Sequence, residues 1–115
     1  MAAPRIPRAP RPGGKVRGST TGRPIMALLD LLGRRGALRV LWELRGAPLT
    51  FRALQAAAAT SPSVLNTRLA ELREAGLVEH GGDGYALTAE GGGLLERLAP
   101  LHAWSEAWAR RVPAT

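Results

Sequence analysis

Apolar residues recur every three or four positions through the first half of the chain, which predicts a series of amphipathic helices. Prolines, glycines and hydroxyl residues divide the series into four helices, expected at residues 24–32, 37–45, 51–58 and 62–75. Their apolar faces are expected to comprise Ile25, Leu28, Leu29 and Leu32; Leu38, Leu41, Trp42 and Leu44; Phe51 and Leu54; and Leu65, Leu69 and Leu72. Thr50 and Ser61 are the expected N-caps of the third and fourth helices.

After Gly76 the apolar period changes from 3.6 to 2. Residues 77–80 and 85–87 are predicted to be strands that flank a tight turn at 81–84. Thr88 then caps a last helix, in which Pro100 is expected to cause a kink or a division. The apolar stripe of this helix comprises Leu94, Leu95, Leu98, Leu101, Trp104 and Trp108.

Three helices, a longer fourth helix, a β-hairpin and a C-terminal helix make up the order of a winged helix-turn-helix domain. The sequence therefore predicts a mainly α fold with a short two-stranded wing. In such folds the second helix of the helix-turn-helix lies in the DNA major groove, with its N-terminal residues against the base edges. That helix is the fourth one here.

The face of the fourth helix opposite its leucines carries short side chains: Ser63, Asn66, Thr67 and Ala70. An asparagine amide can pair with adenine, and hydroxyl groups suit either a base or a phosphate. The same side chains would also suit a helix face that contacts only water, so the pattern leaves both possibilities open. Glu71 and Glu74 would repel phosphates and are expected to point away from the duplex.

The net charge of +7 is concentrated near the N-terminus. Six basic residues and no acidic ones lie in the first 24 residues, whereas the remainder carries ten basic and nine acidic residues. Residues 1–22 are rich in proline and glycine and are expected to form a flexible cationic arm. The arm is either an unstructured extension or a contact to phosphates and the minor groove. Residues 23–115 form the predicted domain.

Several functional classes are disfavoured by what the sequence lacks. It contains no cysteine, and its two histidines, His80 and His102, have no spacing typical of a metal site. No glycine-rich loop follows a strand and opens a helix, so we expect no cofactor, no catalytic residues and no enzyme activity. No apolar segment is long enough for a membrane span, and no secretory signal is visible, so a cytoplasmic location is expected.

The segment from Ser61 to Glu79 resembles the recognition-helix region of the HxlR-type regulators, which are small dimeric winged helix-turn-helix transcription factors of bacteria and archaea. The similarity extends, in the same order, to Leu31–Gly33, Val40–Leu44, Thr50–Leu54 and Tyr85–Gly91. It implies a homodimer that binds an inverted-repeat operator in double-stranded DNA, with repression as the expected mode and activation left open. A protein–protein interaction module without specific DNA binding is the alternative that we retain.

The resemblance implies roles for individual residues. Arg68 is expected to support the helix or a phosphate contact, and Arg52 to contact a backbone phosphate. The DNA-binding set comprises Arg52, Ser61, Ser63, Asn66, Thr67, Arg68, Gly82 and Gly84. The first and last helices are expected to form the dimer through Ile25, Leu28, Leu29, Leu94, Leu98, Leu101, Trp104 and Trp108, although part of this stripe must pack within the chain.

Three departures from the family pattern qualify these expectations. Arg23 replaces a cysteine that many members carry, which excludes the redox-sensing branch of the family. Gly36 replaces a tryptophan, whose volume Trp42 is the candidate to fill. The wing carries Asp83 and no basic residue at its tip, so its contact with DNA is expected to be weak. An unidentified small-molecule effector near Trp104 and Trp108 is left open.

Overall fold

The computed structural model describes residues 23–112 and 114, and the arm predicted at residues 1–22 lies outside them. The elements are α1 (Pro24–Leu32), α2 (Ala37–Glu43), α3 (Phe51–Ala58), α4 (Pro62–Glu74), β1 (Val78–Gly81), β2 (Gly84–Leu87) and α5 (Ala89–Arg111). The mainly helical fold with a two-stranded wing is confirmed. Among the described residues, none of the helices has both the length and the apolar character needed to cross a bilayer.

Three helices begin at hydroxyl N-caps, as the sequence predicts. The side-chain oxygens of Thr50, Ser61 and Thr88 accept hydrogen bonds from backbone N–H groups three residues later, at 3.1, 3.2 and 3.1 Å. Each bond satisfies one of the N–H groups that the first turn of a helix leaves without a partner. The caps therefore fix where α3, α4 and α5 begin.

The core forms where α2, α3 and α4 meet beneath the wing. Leu65, Leu69 and Leu72 of α4 are at most 2% exposed, as predicted, and Leu54 of α3 is completely buried. The other members of this buried cluster are Leu31, Val40, Leu41, Leu44 and Val78. Burial of these side chains holds one face of α4 against the domain and leaves the opposite face outside.

The orientation of α1 and α2 differs from the predicted apolar faces. Ile25 and Leu29 of α1 are more than half exposed, because Ala27 and Leu31 face the core instead. In α2, Leu38 and Trp42 are likewise exposed. Both helices carry more apolar residues than one buried face can hold, so the period alone does not determine which set lies inside.

Trp42 does not fill the volume left by Gly36. Its ring lies at the surface, stacked on His102 of α5 at a centroid distance of 5.7 Å. The guanidinium carbon of Arg45 lies 4.1 Å from the same ring. Trp42 therefore joins α2 to the middle of α5 on the outside of the domain.

The wing is an antiparallel hairpin in which Val78 pairs with Leu87 and Gly81 with Gly84. An additional bridge joins Leu49 to Tyr85, with backbone N–O distances of 2.9 and 2.8 Å. Gly84 adopts φ +111°, and a Cβ atom there would lie 2.5 Å from the Leu49 carbonyl oxygen. Only glycine fits this position, which anchors the wing to the segment before α3.

The start of α5 is fastened to the turn that follows α4. Thr88 donates its hydroxyl proton to the Gly76 carbonyl at 2.6 Å and its backbone N–H to the Leu77 carbonyl at 3.1 Å. Gly91 packs so closely that a Cβ atom would lie 2.1 Å from the Leu77 oxygen. Further along, α5 continues through Pro100 as one helix, so of the predicted kink or division the division does not occur.

Candidate nucleic-acid interface

The outer face of α4 begins with two serines at its N-terminus. The Ser61 hydroxyl is occupied as the N-cap acceptor, and its oxygen lies 3.5 Å from that of Ser63, which is exposed in the first turn. Pro62 separates them and occupies the position where a missing N–H costs no helical bond. Ser61 therefore starts the helix, and Ser63 opens its outer face.

Asn66 and Thr67 continue this face one turn further. The Asn66 side chain is exposed, so its amide is accessible from outside the domain. The Thr67 hydroxyl donates to the Ser63 carbonyl at 3.0 Å, which keeps the oxygen lone pairs available as acceptors. The structure thus brings Ser63, Asn66 and Thr67 together on the side of α4 opposite the core leucines, as the sequence predicts.

Arg68 points away from that face and binds within the domain. Its Nε donates to the Arg35 carbonyl at 2.6 Å, and one terminal nitrogen donates to Glu71 at 2.6 Å. With these bonds, Arg68 has the supporting role that the sequence analysis gave as one of its two possibilities. Its guanidinium joins α4 to the connection between α1 and α2.

Glu71 has a structural role that the sequence does not predict, since the sequence indicates only that it points away from DNA. It is 2% exposed, and its carboxylate accepts hydrogen bonds from both Arg34 and Arg68. Arg34 also donates to Asp30 of α1 at 3.2 Å. The i, i+3 spacing of Arg68 and Glu71 is a detectable signal, whereas Arg34 lies 37 residues away from Glu71.

The acidic residues of α4 are therefore separated from the first two turns of its outer face. Glu71 is buried against two guanidinium groups, which confirms that it points inward. Glu74 is exposed at the end of the helix, eight residues after Asn66, or about 12 Å along the axis. Thr67 also lines a surface pocket with Asp30 and Glu71, and both of these carboxylates accept hydrogen bonds from Arg34, which balances their charge beside the outer face of α4.

Arg52 occupies the second position of α3 and its side chain is exposed. Within residues 23–112 and 114, it forms neither a hydrogen bond nor an ion pair. Arg39, by contrast, is engaged with Glu43 and with the Ala57 carbonyl. Arg52 therefore presents a free cationic group close to the start of the helix-turn-helix.

The tip of the wing offers little positive charge. Gly82 and Asp83 are exposed there, whereas Gly84 is turned against Leu49 and has a structural role. On the strands, the exposed His80 ring stacks on Tyr85 at a centroid distance of 4.2 Å. The wing thus presents the carboxylates of Glu79 and Asp83 and one imidazole to its surroundings, and of the two glycines in the predicted set only Gly82 is exposed at the tip.

The residues predicted for dimerisation separate into two groups. Leu28, Leu94 and Leu98 are half-buried, and Leu94 packs against the core. The exposed group consists of Ile25, Leu29, Leu101, Trp104 and Trp108, which are between 49% and 57% exposed. Trp104 and Trp108 stack on each other at 5.9 Å. The outer surfaces of α1 and of the second half of α5 are therefore apolar.

The described residues contain no group of three or more histidine and acidic side chains that could hold a metal ion. In the same part of the chain, every buried side-chain nitrogen or oxygen has a hydrogen-bond partner.

The sequence matches no model of a known protein family and no curated protein. Among solved structures, the fold is similar to that of quinone-bound YodB from B. subtilis, with a TM-score of 0.68 and 26% sequence identity. The similarity covers 72% of this chain and 96% of the YodB chain. Together with the helix-turn-helix and the wing described above, it shows that residues 23–112 adopt a winged helix fold.

Proposed function

We propose that the protein is a sequence-specific DNA-binding transcriptional regulator that acts as a homodimer, with repression as its mode. The structural similarity to YodB supports a regulatory role in general terms. The proposal includes a cytoplasmic location and no catalytic activity. The specific part of the proposal depends on the surface of α4.

The observation that carries the proposal is the composition of the outer face of α4. Ser63, Asn66 and Thr67 offer donors and acceptors to base edges, and they are short enough for the helix backbone to approach the groove. Burial of Glu71 removes the nearest carboxylate from this face. An exposed carboxylate at this position would repel DNA phosphates, whereas it would not disturb a helix face that contacts only water.

Arg52 supplies the phosphate contact in this proposal. Its guanidinium group has no partner within the described part of the chain, so binding to a phosphate would break no internal ion pair. Contacts to phosphates position a protein on the duplex, whereas contacts to base edges determine which sequence it prefers. Arg52 and Asn66 should therefore have separable effects on binding.

The exposed apolar surfaces of α1 and α5 support dimerisation. Leu101, Trp104 and Trp108 follow one another at spacings of three and four residues, which places them along one side of α5. A second copy of the chain would bury this stripe. Two copies related by a two-fold axis would present two α4 helices to half-sites about 34 Å apart, one helical turn of DNA.

We also propose that a small-molecule effector binds at the dimer interface, near the stacked Trp104 and Trp108 rings. YodB was solved with a quinone bound. The present chain has no cysteine, so an effector could not form a covalent bond to a thiol here. Quenching of tryptophan fluorescence would report such binding, and Trp104→Phe would reduce the signal.

The direct test is selection of bound fragments from random duplex DNA with the purified full chain. Fluorescence anisotropy would then measure affinity for the selected duplex and for a scrambled one over a series of salt concentrations. We expect binding that weakens steeply with salt, because phosphate contacts release counterions. We also expect the selected sequences to be inverted repeats.

Asn66→Ala and Arg52→Ala separate the two kinds of contact. Asn66→Ala should relax the preference at one base position, at a cost of about 1–3 kcal/mol for the selected site. Arg52→Ala should weaken both duplexes alike and reduce the salt dependence by about one phosphate contact. Arg45→Ala, which removes an exposed arginine just after α2, is the charge-matched control and should change neither.

Failure to bind any duplex in a salt-dependent manner would contradict the proposal. The protein–protein interaction module would then be the remaining function for this fold. Its surface would have to be sought on the apolar faces of α1 and α5, since Ser63 and Asn66 offer no apolar patch.

A further inference from the structure

The carboxylate of Glu71 is held from two directions. Arg68, on the same helix, donates to Oε1, and Arg34, in the connection between α1 and α2, donates to Oε2. The Glu71 side chain is 2% exposed, and those of Arg34 and Arg68 are 26% and 17% exposed. This cluster, which we call the α4 clamp, lies beside the recognition face, and Arg68 is its one member in the predicted DNA-binding set.

The α4 clamp crosses between elements twice. Besides the bond from Arg34 to Glu71, the Nε of Arg68 donates to the backbone carbonyl of Arg35. The two links start at Arg68 and Glu71, which are three residues apart on α4. They end at Arg35 and Arg34, which are adjacent in the α1–α2 connection. Rotation of α4 about its own axis would lengthen both links.

Such a rotation would matter for DNA recognition because Asn66 and Thr67 immediately precede Arg68. A helix with its side chains has a radius of about 5–6 Å, so a 20° rotation would move an outer side chain by about 2 Å. Hydrogen bonds to base edges do not tolerate displacements of this size. The orientation of α4 therefore determines whether Asn66 reaches its base.

The α4 clamp adds directional bonds to the packing of the core leucines. Leu65, Leu69 and Leu72 hold α4 against the domain through hydrophobic burial, which is non-directional. Bonds between a guanidinium group and a carboxylate are directional and have a defined geometry. Buried ion pairs are also weak sources of net stability, since well-packed apolar residues often replace them without loss. The geometry of the α4 clamp is better suited to orientation than to stability.

We infer that Glu71 is a positioning residue for DNA recognition: through Arg34 and Arg68 it fixes the angle at which α4 presents Asn66 to the groove. The inference rests on the proposed function. Glu71 is buried and touches no DNA in this proposal, yet it controls how strongly the protein prefers specific over non-specific sites.

The test is Glu71→Gln in the full chain, with Glu43→Gln as the matched control. Glu43 accepts a hydrogen bond from Arg39 of the same helix, so this substitution removes an ion pair with the same change of charge and leaves the bonds of the α4 clamp in place. Denaturation curves establish the temperature at which each variant is folded. Anisotropy then gives the affinity for the selected and the scrambled duplex at one salt concentration.

We expect Glu71→Gln to weaken binding to the selected duplex about tenfold, which is the discrimination that one well-placed base contact provides. Binding to the scrambled duplex should change no more than it does in Glu43→Gln, because both variants lose one carboxylate and phosphate contacts are less sensitive to the angle of α4. Glu43→Gln should keep the ratio of specific to non-specific affinity. Glu71→Gln combined with Asn66→Ala should be no worse than Asn66→Ala alone, since both act on the same base contact.

A purely structural role would lower only the denaturation midpoint. If folded Glu71→Gln retains the ratio of specific to non-specific affinity, the inference is overturned and the proposed function stands. If the unmodified chain binds no duplex, the proposed function fails, and the inference fails with it. Should Glu71→Gln not fold, Arg68→Lys keeps the charge but cannot reach both Glu71 and the Arg35 carbonyl, and the same loss of discrimination is expected from it.

Discussion

Gly91→Ala should destabilise the domain strongly, although alanine is the better helix former. The new Cβ atom would lie 2.1 Å from the Leu77 carbonyl oxygen, so the start of α5 would have to move by about 1 Å to restore an ordinary contact. Overpacking of this kind costs about 1–3 kcal/mol. The movement would also weaken the hydrogen bond from the Thr88 N–H to the same carbonyl, which is worth about 1 kcal/mol.

Helix propensity returns about 1 kcal/mol of this cost, so the free energy of unfolding should fall by about 1–3 kcal/mol. For a domain of this size, that corresponds to a decrease in Tm of about 5–20 °C, measurable by circular dichroism at 222 nm.

Gly92→Ala is the matched control, because a Cβ atom at Gly92 meets nothing within 4 Å. The same substitution one residue later should therefore raise the free energy of unfolding, by up to about 1 kcal/mol. Urea denaturation of the two variants under identical conditions would compare them directly. Equal effects, or a neutral Gly91→Ala, would refute the close packing of α5 against Leu77.

Three further substitutions test other parts of the fold. Gly84→Ala should cost about 2–4 kcal/mol in thermal denaturation, because it adds a backbone clash to an unfavourable φ, whereas Gly82→Ala at the open tip should be nearly neutral. Ala59→Gly should stabilise the domain by about 0.5–1 kcal/mol, since Ala59 adopts φ +51° and ends α3 in the left-handed region; an unchanged denaturation midpoint would contradict that conformation. Trp108→Lys should shift the protein towards monomer in analytical ultracentrifugation, and the same outcome for Ala109→Lys would show that charge rather than the apolar stripe is responsible.

The sequence predicts α4 well because several independent signals agree there. Ser61 and Pro62 mark its start, the leucines at i, i+4 and i+7 mark its inner face, and Gly76 follows its end. The prediction of its outer face then requires only helical geometry. For this reason the accessible positions of Ser63 and Asn66 could be derived without a structure.

The prediction is less successful for α1 and α2, where apolar residues occupy more than one face. Leu29 and Trp42 satisfy the helical period as well as Leu31 and Leu41 do, yet the first pair is exposed and the second is buried. Periodicity detects that a helix is amphipathic, but it does not say which of two apolar stripes meets the core. Contacts with the rest of the chain decide this.

Two structural features depend on residues that are distant in sequence. The bridge between Leu49 and Tyr85 involves one residue pair, which leaves no alternation for a strand prediction to detect. Burial of Glu71 contradicts the general tendency of glutamate to be exposed, and it becomes favourable only because Arg34 arrives from another element. Neither pairing has a local signature.

Arg34 connects the two surfaces on which the proposed function depends. Its guanidinium donates both to Asp30, next to the exposed Leu29 on α1, and to Glu71 on the recognition helix. A partner copy that packs on α1 would therefore contact the helix that carries Asp30, one of the two carboxylates bound to Arg34. In the proposed dimer, the Arg34 side chain would link the interface on α1 to the angle of each α4 helix. For a protein that has to match two half-sites at once, a single rigid connection serves better than two independent ones, because an error in either distance or angle removes base contacts at both ends.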